Sequence, residues 1–245
     1  MINTNKFFSI IVFLILQVNL SNVSISATLK KTSAAKTTYQ SHTAKAYLDK
    51  NYTKLIYTEV HKATYKGPQL IKSTNIYCNT SGIKIAELNA DYKNSISMPT
   101  YVFHDYERDT REGLTWDDGR YYIFKKDKNE KEQRKVLTDY KDMFSCQGWH
   151  YYIIDNFDKI QQQDIPIKLI FPSKLDYYRL NLRKMSSKGS TLKLKMEFGS
   201  WLARLFAPEI EITYDKSEKK IKKYYGTSNI LDSHGEIQNV YIIYK

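Results

Sequence analysis

The sequence predicts a mainly β protein built from antiparallel strands, and three observations carry that reading. Apolar and polar residues alternate at period 2 along many segments. Strand-length runs recur about every ten residues with turn residues between them, and few windows show helical spacing. Tyrosine is abundant, 21 of 245 residues, and suits a pleated, half-buried surface because its ring packs while its hydroxyl reaches water. This pattern fits an antiparallel sheet, a barrel or a sandwich. At 42% hydrophobic residues, with 9 Gly and 5 Pro, the chain can fill one core and is not of low complexity.

The clearest alternation lies near the C-terminus. Leu192, Leu194, Met196 and Phe198 share one face of a strand, with Lys193, Lys195 and Glu197 on the other. Ile210, Ile212 and Tyr214 repeat the pattern, the polar run Asp215–Lys220 reverses the chain, and Ile221–Tyr225 returns as the partner strand. Between the first two strands lies Ser200–Pro208, a bunched apolar segment with one charge, Arg204. In a helical turn, Trp201, Leu202, Leu205 and Phe206 would form one apolar face. That face is read two ways, as ordinary core plugging the sheet or as a lid or membrane-touching edge.

From the N-terminus, Lys6 precedes the apolar run Phe7–Leu16, and small residues follow at Ser21, Ser24, Ser26 and Ala27. This is the pattern of a secretory signal peptide over residues 1–26. The run falls short of the roughly 20 apolar residues that span a bilayer, which disfavours the rival membrane anchor. Residues 27–53, rich in Thr, Ser, Ala and Lys, read as a basic flexible lead-in with a helical turn around Ala44–Leu48. One domain is expected over 54–245. Its first strands are Leu55–Tyr65, Leu70–Cys78, Ile83–Tyr92, Tyr101–Tyr106 and Arg120–Lys126, and Asp127–Arg134 is a solvated loop. Asn79–Gly82 and Asp117–Gly119 supply turns between them. Gly148–Phe157 fits either a strand or a short helix running on to Gln163. Ile167–Phe171, Tyr177–Lys184 and Gln238–Lys245 are further strands.

The 2 cysteines, Cys78 and Cys146, would meet an oxidising compartment after export. A disulfide between them would contribute about 4 kcal/mol through chain entropy; the alternative is two free buried thiols. No Cys-x-x-Cys or His spacing suggests zinc, and no cofactor is expected.

The formal net charge is +12. Lys216, Lys219, Lys220, Lys222 and Lys223 concentrate charge at the last hairpin, a candidate basic rim for an anionic membrane or envelope surface. Solubility is the plainer reading of that charge. No nucleic acid is expected, since no recognition motif is present and export removes the chain from most of it.

The densest polar cluster is His104–Asp109. On a strand, His104, Tyr106 and Arg108 would share one face and three carboxylates, Asp105, Glu107 and Asp109, the other. His150, between Trp149 and Tyr151, is the second candidate for acid–base chemistry, with a structural role as its alternative. No nucleophile elbow, zinc-protease motif, P-loop or dinucleotide fingerprint occurs.

The Trp201–Pro208 segment, the Glu209–Tyr214 strand and the return KKYYGTSNI at Lys222–Ile230 resemble a class of exported bacterial proteins of unknown function. The resemblance implies the curved antiparallel half-barrel of periplasmic lipoprotein carriers, a single sheet or open barrel with one or two short helices. It also implies a concave face able to hold an acyl chain. The function expected is therefore non-enzymatic binding of a lipid or other amphiphile outside the inner membrane. Two alternatives stand beside it: a structural envelope protein with a filled core, and a hydrolase or transferase using His104 or His150.

Overall fold

A computed structural model describes residues 35–199 and 210–244. In it the chain runs as two meanders. The first comprises β1 (Thr37–Tyr47), β2 (Leu55–Lys66), β3 (Gln69–Asn79), β4 (Lys84–Asp91), β5 (Thr100–Asp105), β6 (Thr110–Asp117), β7 (Arg120–Lys126) and β8 (Gln133–Leu137). A two-residue strand, β9 (Met143–Phe144), leads into the helices α1 (Trp149–Asp155) and α2 (Phe157–Gln162). The second meander comprises β10 (Ile165–Phe171), β11 (Asp176–Lys188), β12 (Thr191–Phe198), β13 (Ile210–Asp215), β14 (Lys220–Thr227) and β15 (Asn239–Tyr244).

The two meanders join where β15 pairs with β1, with Ala44 opposite Tyr244 and Ala46 opposite Ile242. Among the described residues the result is one 15-stranded sheet, ordered β8-β7-β6-β5-β4-β3-β2-β1-β15-β14-β13-β12-β11-β10-β9. Its pairings are antiparallel apart from β9 with β10. Local chemistry sets the hairpins. Between β6 and β7, Asp118 (φ 46°) and Gly119 (φ 74°) both take the left-handed conformation that a tight two-residue turn requires.

The sheet curls into an open barrel. The 3-10 turn Pro172–Lys174, after β10, packs on β6 and β7. Lys135 Nζ, on β8, lies 3.0 Å from Asp176 Oδ1 at the start of β11. The outer strands of the two meanders therefore face each other. Inside, the core falls into two clusters. One gathers Leu88, Leu114, Ile123, Val240 and Ile242, largely from the first meander and β15. The other gathers Leu182, Leu192, Leu194, Ile212 and Tyr214 against Ile153, Phe157 and Ile160 of the helices.

Several expectations are corrected. Residues 37–47 are not a flexible lead-in or a helical turn but β1, in the middle of the sheet. Its inward residues Ala44 and Ala46 are fully buried in the first core cluster. Of the two readings of Gly148–Phe157 the helix is the one found, as α1 and α2, whereas β6, which the sequence pattern does not show, lies between β5 and β7. His104–Asp109 is not a continuous strand: β5 ends at Asp105 and the chain turns at once into β6.

The expected disulfide is absent, and Cys78 and Cys146 are free. Cys78 follows inward-facing Tyr77 and pairs with Thr58 on the outer side of the sheet, whereas Cys146 packs inside against the first core cluster. The sheet separates the two sulfurs. The signal-peptide residues 1–26 and the segment holding Trp201, Leu202, Leu205 and Phe206 lie outside the described residues. Among those described, no helix is long and apolar enough to cross a membrane.

Candidate functional site

A cavity of about 540 Å³ lies where the two core clusters stop, between β5–β7 on one side and β10–β13 on the other. Leu169, Phe171, Leu180, Met196, Phe198 and Ile210 form its apolar wall. These are the inward positions of the C-terminal strands, aligned by the alternation read in the sequence, with Leu180 opposite Phe198 and Met196 opposite Ile210. Exposed Arg111, Asp127, Ser173 and Lys174 mark the mouth.

The facing wall is polar. Phe103, Glu112 and Lys125 stand in one row across β5, β6 and β7. Gly113 lets these strands close up: a Cβ there would sit 2.0 Å from the Tyr101 carbonyl oxygen. Asp105 is buried and fully engaged. It accepts hydrogen bonds from the backbone N–H groups of Glu107 (2.9 Å) and Arg108 (3.0 Å), and from Arg108 Nη1 (3.0 Å). Arg108 Nη2 in turn donates to the Asp232 carbonyl, tying this turn to the loop beside the mouth. Lys125 Nζ lies 3.8 Å from Asp127 Oδ2.

Glu112 is different. Among the described residues its carboxyl makes no hydrogen bond or ion pair. It is half-buried by surface area, yet what it touches is the cavity, and protein surrounds it closely. Burial pushes its pKa from 4.5 up to about 7; the negative charge of Asp127 adds to the rise and Lys125 opposes it. One rung deeper, the buried Tyr101 hydroxyl has no hydrogen-bond partner among the described residues. Beside it the Cys146 thiol is pushed up to about 11 by burial, which leaves it protonated and a poor nucleophile at neutral pH.

The sequence-predicted site residues lie elsewhere. His104 is on the outer face, since its neighbours Phe103 and Asp105 point inward; its Nε2 is 3.7 Å from Asp109 Oδ1 and its ring rests on Tyr106. His150 hydrogen-bonds through Nδ1 to the Tyr214 hydroxyl at 3.0 Å and stacks on that ring. Burial lowers its pKa to about 4. Neither histidine lines the cavity.

The five lysines do not rim the cavity either. They surround the β13–β14 turn, at the far end of those strands from the cavity-lining residues Ile210 and Thr227. There Lys216 reaches Ser187, Lys219 and Lys223 lie over the rings of Phe157 and Tyr52, and Lys220 and Lys222 approach Glu218.

A second polar group, on the face of β1 and β2 that carries buried Ala44 and Glu59 and open to solvent at His42, escaped the sequence reading. His42 and His61 stack at 4.6 Å, and His61 Nε2 lies 2.6 Å from Glu59 Oε2, which is buried. Only the β1–β2 register brings them together, and β1 carries no apolar run to announce it. Among the described residues no cluster of three or more His, Cys, Asp or Glu is placed to hold a metal ion. Glu112 was missed as well; its single signal is a carboxylate at an inward position, two residues before buried Leu114.

No protein-family model matches the chain, and no curated protein matches it. Among solved structures it is similar to the crystal structure of a β-barrel-like protein of a domain of unknown function, DUF1849, from Brucella abortus. The two share 7% identity over 84% of this chain and 97% of that one, with a TM-score of 0.47. A likeness at that level carries no argument about what the cavity holds.

Proposed function

We propose that the protein is an exported, non-enzymatic binding protein that holds an amphiphile, a lipid or similar molecule, in the cavity between the two walls. The observation that carries the reading is a 540 Å³ space with one apolar wall, one polar wall and a charged mouth. Ligand sites commonly occupy roughly 300–1,000 Å³ and combine apolar lining with a few polar groups. Burying an alkyl chain gains about 0.8 kcal/mol per CH₂, so eight methylenes would supply about 6 kcal/mol before the costs of association. The structural-envelope reading calls for a filled interior, and a cavity of this size weighs against it. Export rests on the N-terminal pattern of Lys6, the Phe7–Leu16 run and the small residues to Ala27. The enzymatic reading loses support because His104 and His150 both lie away from the cavity.

Native mass spectrometry of protein purified from its own host tests both parts. The expected result is a chain lacking about 26 N-terminal residues, as the cleavage pattern implies, carrying a dissociable adduct of lipid-like mass. An intact chain would overturn export. A bare chain that also fails to bind a neutral long-chain alcohol would overturn amphiphile binding.

A further inference from the structure

Within the amphiphile reading, on which this inference rests, the polar wall specifies the head of the occupant. We propose that the cavity takes an amphiphile with a cationic nitrogen head, such as an alkylammonium, and that Glu112 is the group that receives it.

Most of the charges at the cavity are already engaged or solvated. Asp105 is held by Arg108 and two backbone N–H groups, and Lys125 lies against Asp127. Arg111 and Lys174 are exposed at the mouth, where water solvates them. Glu112 alone among these brings an unpartnered carboxyl to the cavity surface, enclosed by protein and facing an apolar wall. A buried polar group without a partner is costly, and the deficit disappears when a ligand supplies that partner.

The lining then selects the sign. Once Glu112 is ionised, an anionic head beside it would meet the carboxylates of Glu112 and Asp127 together, with the Lys125 ammonium already lying against the latter. A neutral alkyl end would leave Glu112 unpaired. A cation would satisfy it, and the aromatic residues Phe103, Phe171, Tyr178 and Phe198 that line the cavity are of a kind that accepts a cation.

The cavity also gives this binding a proton linkage. The raised pKa of Glu112 means that the empty site carries a proton on a substantial fraction of molecules near neutrality, and a cationic head must displace it. The charged or titratable groups facing Glu112 across the cavity are Tyr101 and Asp105 on β5, Lys125 on β7, Asp127 just after it, Lys174 in the turn after β10, Tyr178 on β11, Tyr224 on β14, and Cys146; Arg111 adjoins it on β6. No histidine lines the cavity among the described residues, so no imidazole titration there competes with that of Glu112 between pH 6 and 8. A carboxyl of pKa about 7 is about one-tenth ionised at pH 6 and about nine-tenths at pH 8, which predicts about a tenfold gain in cation affinity across that range.

Calorimetric titration of the exported protein with decylammonium, decanol and decanoate at pH 6 and pH 8 tests the proposal. Decylammonium is expected to bind about tenfold more tightly at pH 8 than at pH 6, decanol equally at both, and decanoate more weakly than either at pH 8. In Glu112→Gln the pH dependence for decylammonium should vanish while decanol still binds, which also shows that the variant is folded. Decylammonium binding that ignores pH in the unaltered protein, that survives Glu112→Gln unchanged, or that is outdone by decanoate at pH 8 would overturn the cationic head. Decanol binding in the same experiment would leave the amphiphile reading standing. Failure of all three probes would remove both.

Discussion

The two walls of the cavity are made by the same strand alternation and have opposite chemistry. On β12 the residues Leu192, Leu194, Met196 and Phe198 run apolar along the inward face, and the first three are buried. On β6 the equivalent positions are Thr110, Glu112 and Leu114, and only the last is a core residue. Alternation thus fixes which side chains point inward, but not whether the interior they meet is filled. Where α1 and α2 lie on the C-terminal strands, apolar positions become packed core. Where β5–β7 face β10–β13 beyond the helices, the same geometry leaves a space with a carboxyl on one side.

The largest expected effect comes from erasing that contrast. Leu180 lies in the apolar wall at 3% exposure. Leu180→Asp would place a second carboxyl there with no partner, and should cost at least about 3 kcal/mol at pH 8 in urea denaturation. A variant as stable as the parent would mean that the wall is solvated rather than apolar.

The next effect carries a sign that only the polar wall predicts. Folded Glu112 keeps its proton up to about pH 7, whereas in the unfolded chain it releases it near 4.5. Between those values the native state binds more protons, so its contribution to stability falls as pH rises through the window. Glu112→Gln removes that loss. The variant should gain about 3 kcal/mol on its parent between pH 4 and pH 8, measured by denaturation at each pH. A constant difference across the range would show that Glu112 titrates normally.

The smallest expected effect concerns the sulfurs, which lie on opposite sides of the sheet. Adding a reducing agent should shift Tm by less than about 1 °C, where losing a bond worth about 4 kcal/mol would lower it by roughly 10 °C. Thiol labelling under denaturing conditions without reductant should modify both Cys78 and Cys146. Failure to label either would restore the disulfide.

Much of the sheet was legible residue by residue. The strands β2–β5, β7 and β10–β15 each contain an apolar alternation or a short buried run, and each appears where that pattern lies. β1, β6 and β8 were not legible, because their sequences TTYQSHTAKAY, TREGLTWD and QRKVL hold too few large apolar residues to show a period. They are strands because their neighbours offer a ladder to complete; β propensity follows context more than it follows the residue. The lysine hairpin is legible as a turn, but its distance from the cavity is not, since sequence says which residues reverse the chain and not which end of the barrel they close.

By itself, then, the sequence determined a mainly β chain, the inward residues of most strands, the turn at Asp118–Gly119 and the basic charge of the last hairpin. These are properties of neighbouring residues, set by backbone geometry and side-chain type over a few positions. Tertiary structure alone decided that β15 pairs with β1, that the sheet curls until the turn after β10 meets β6 and β7, and that Cys78 and Cys146 sit on opposite faces. It also decided that a carboxyl at position 112 would be desolvated and, among the described residues, left without a partner. The physical reason is the range of the forces involved. Periodicity is written within a strand, whereas desolvation and pairing depend on atoms brought near from residues far along the chain.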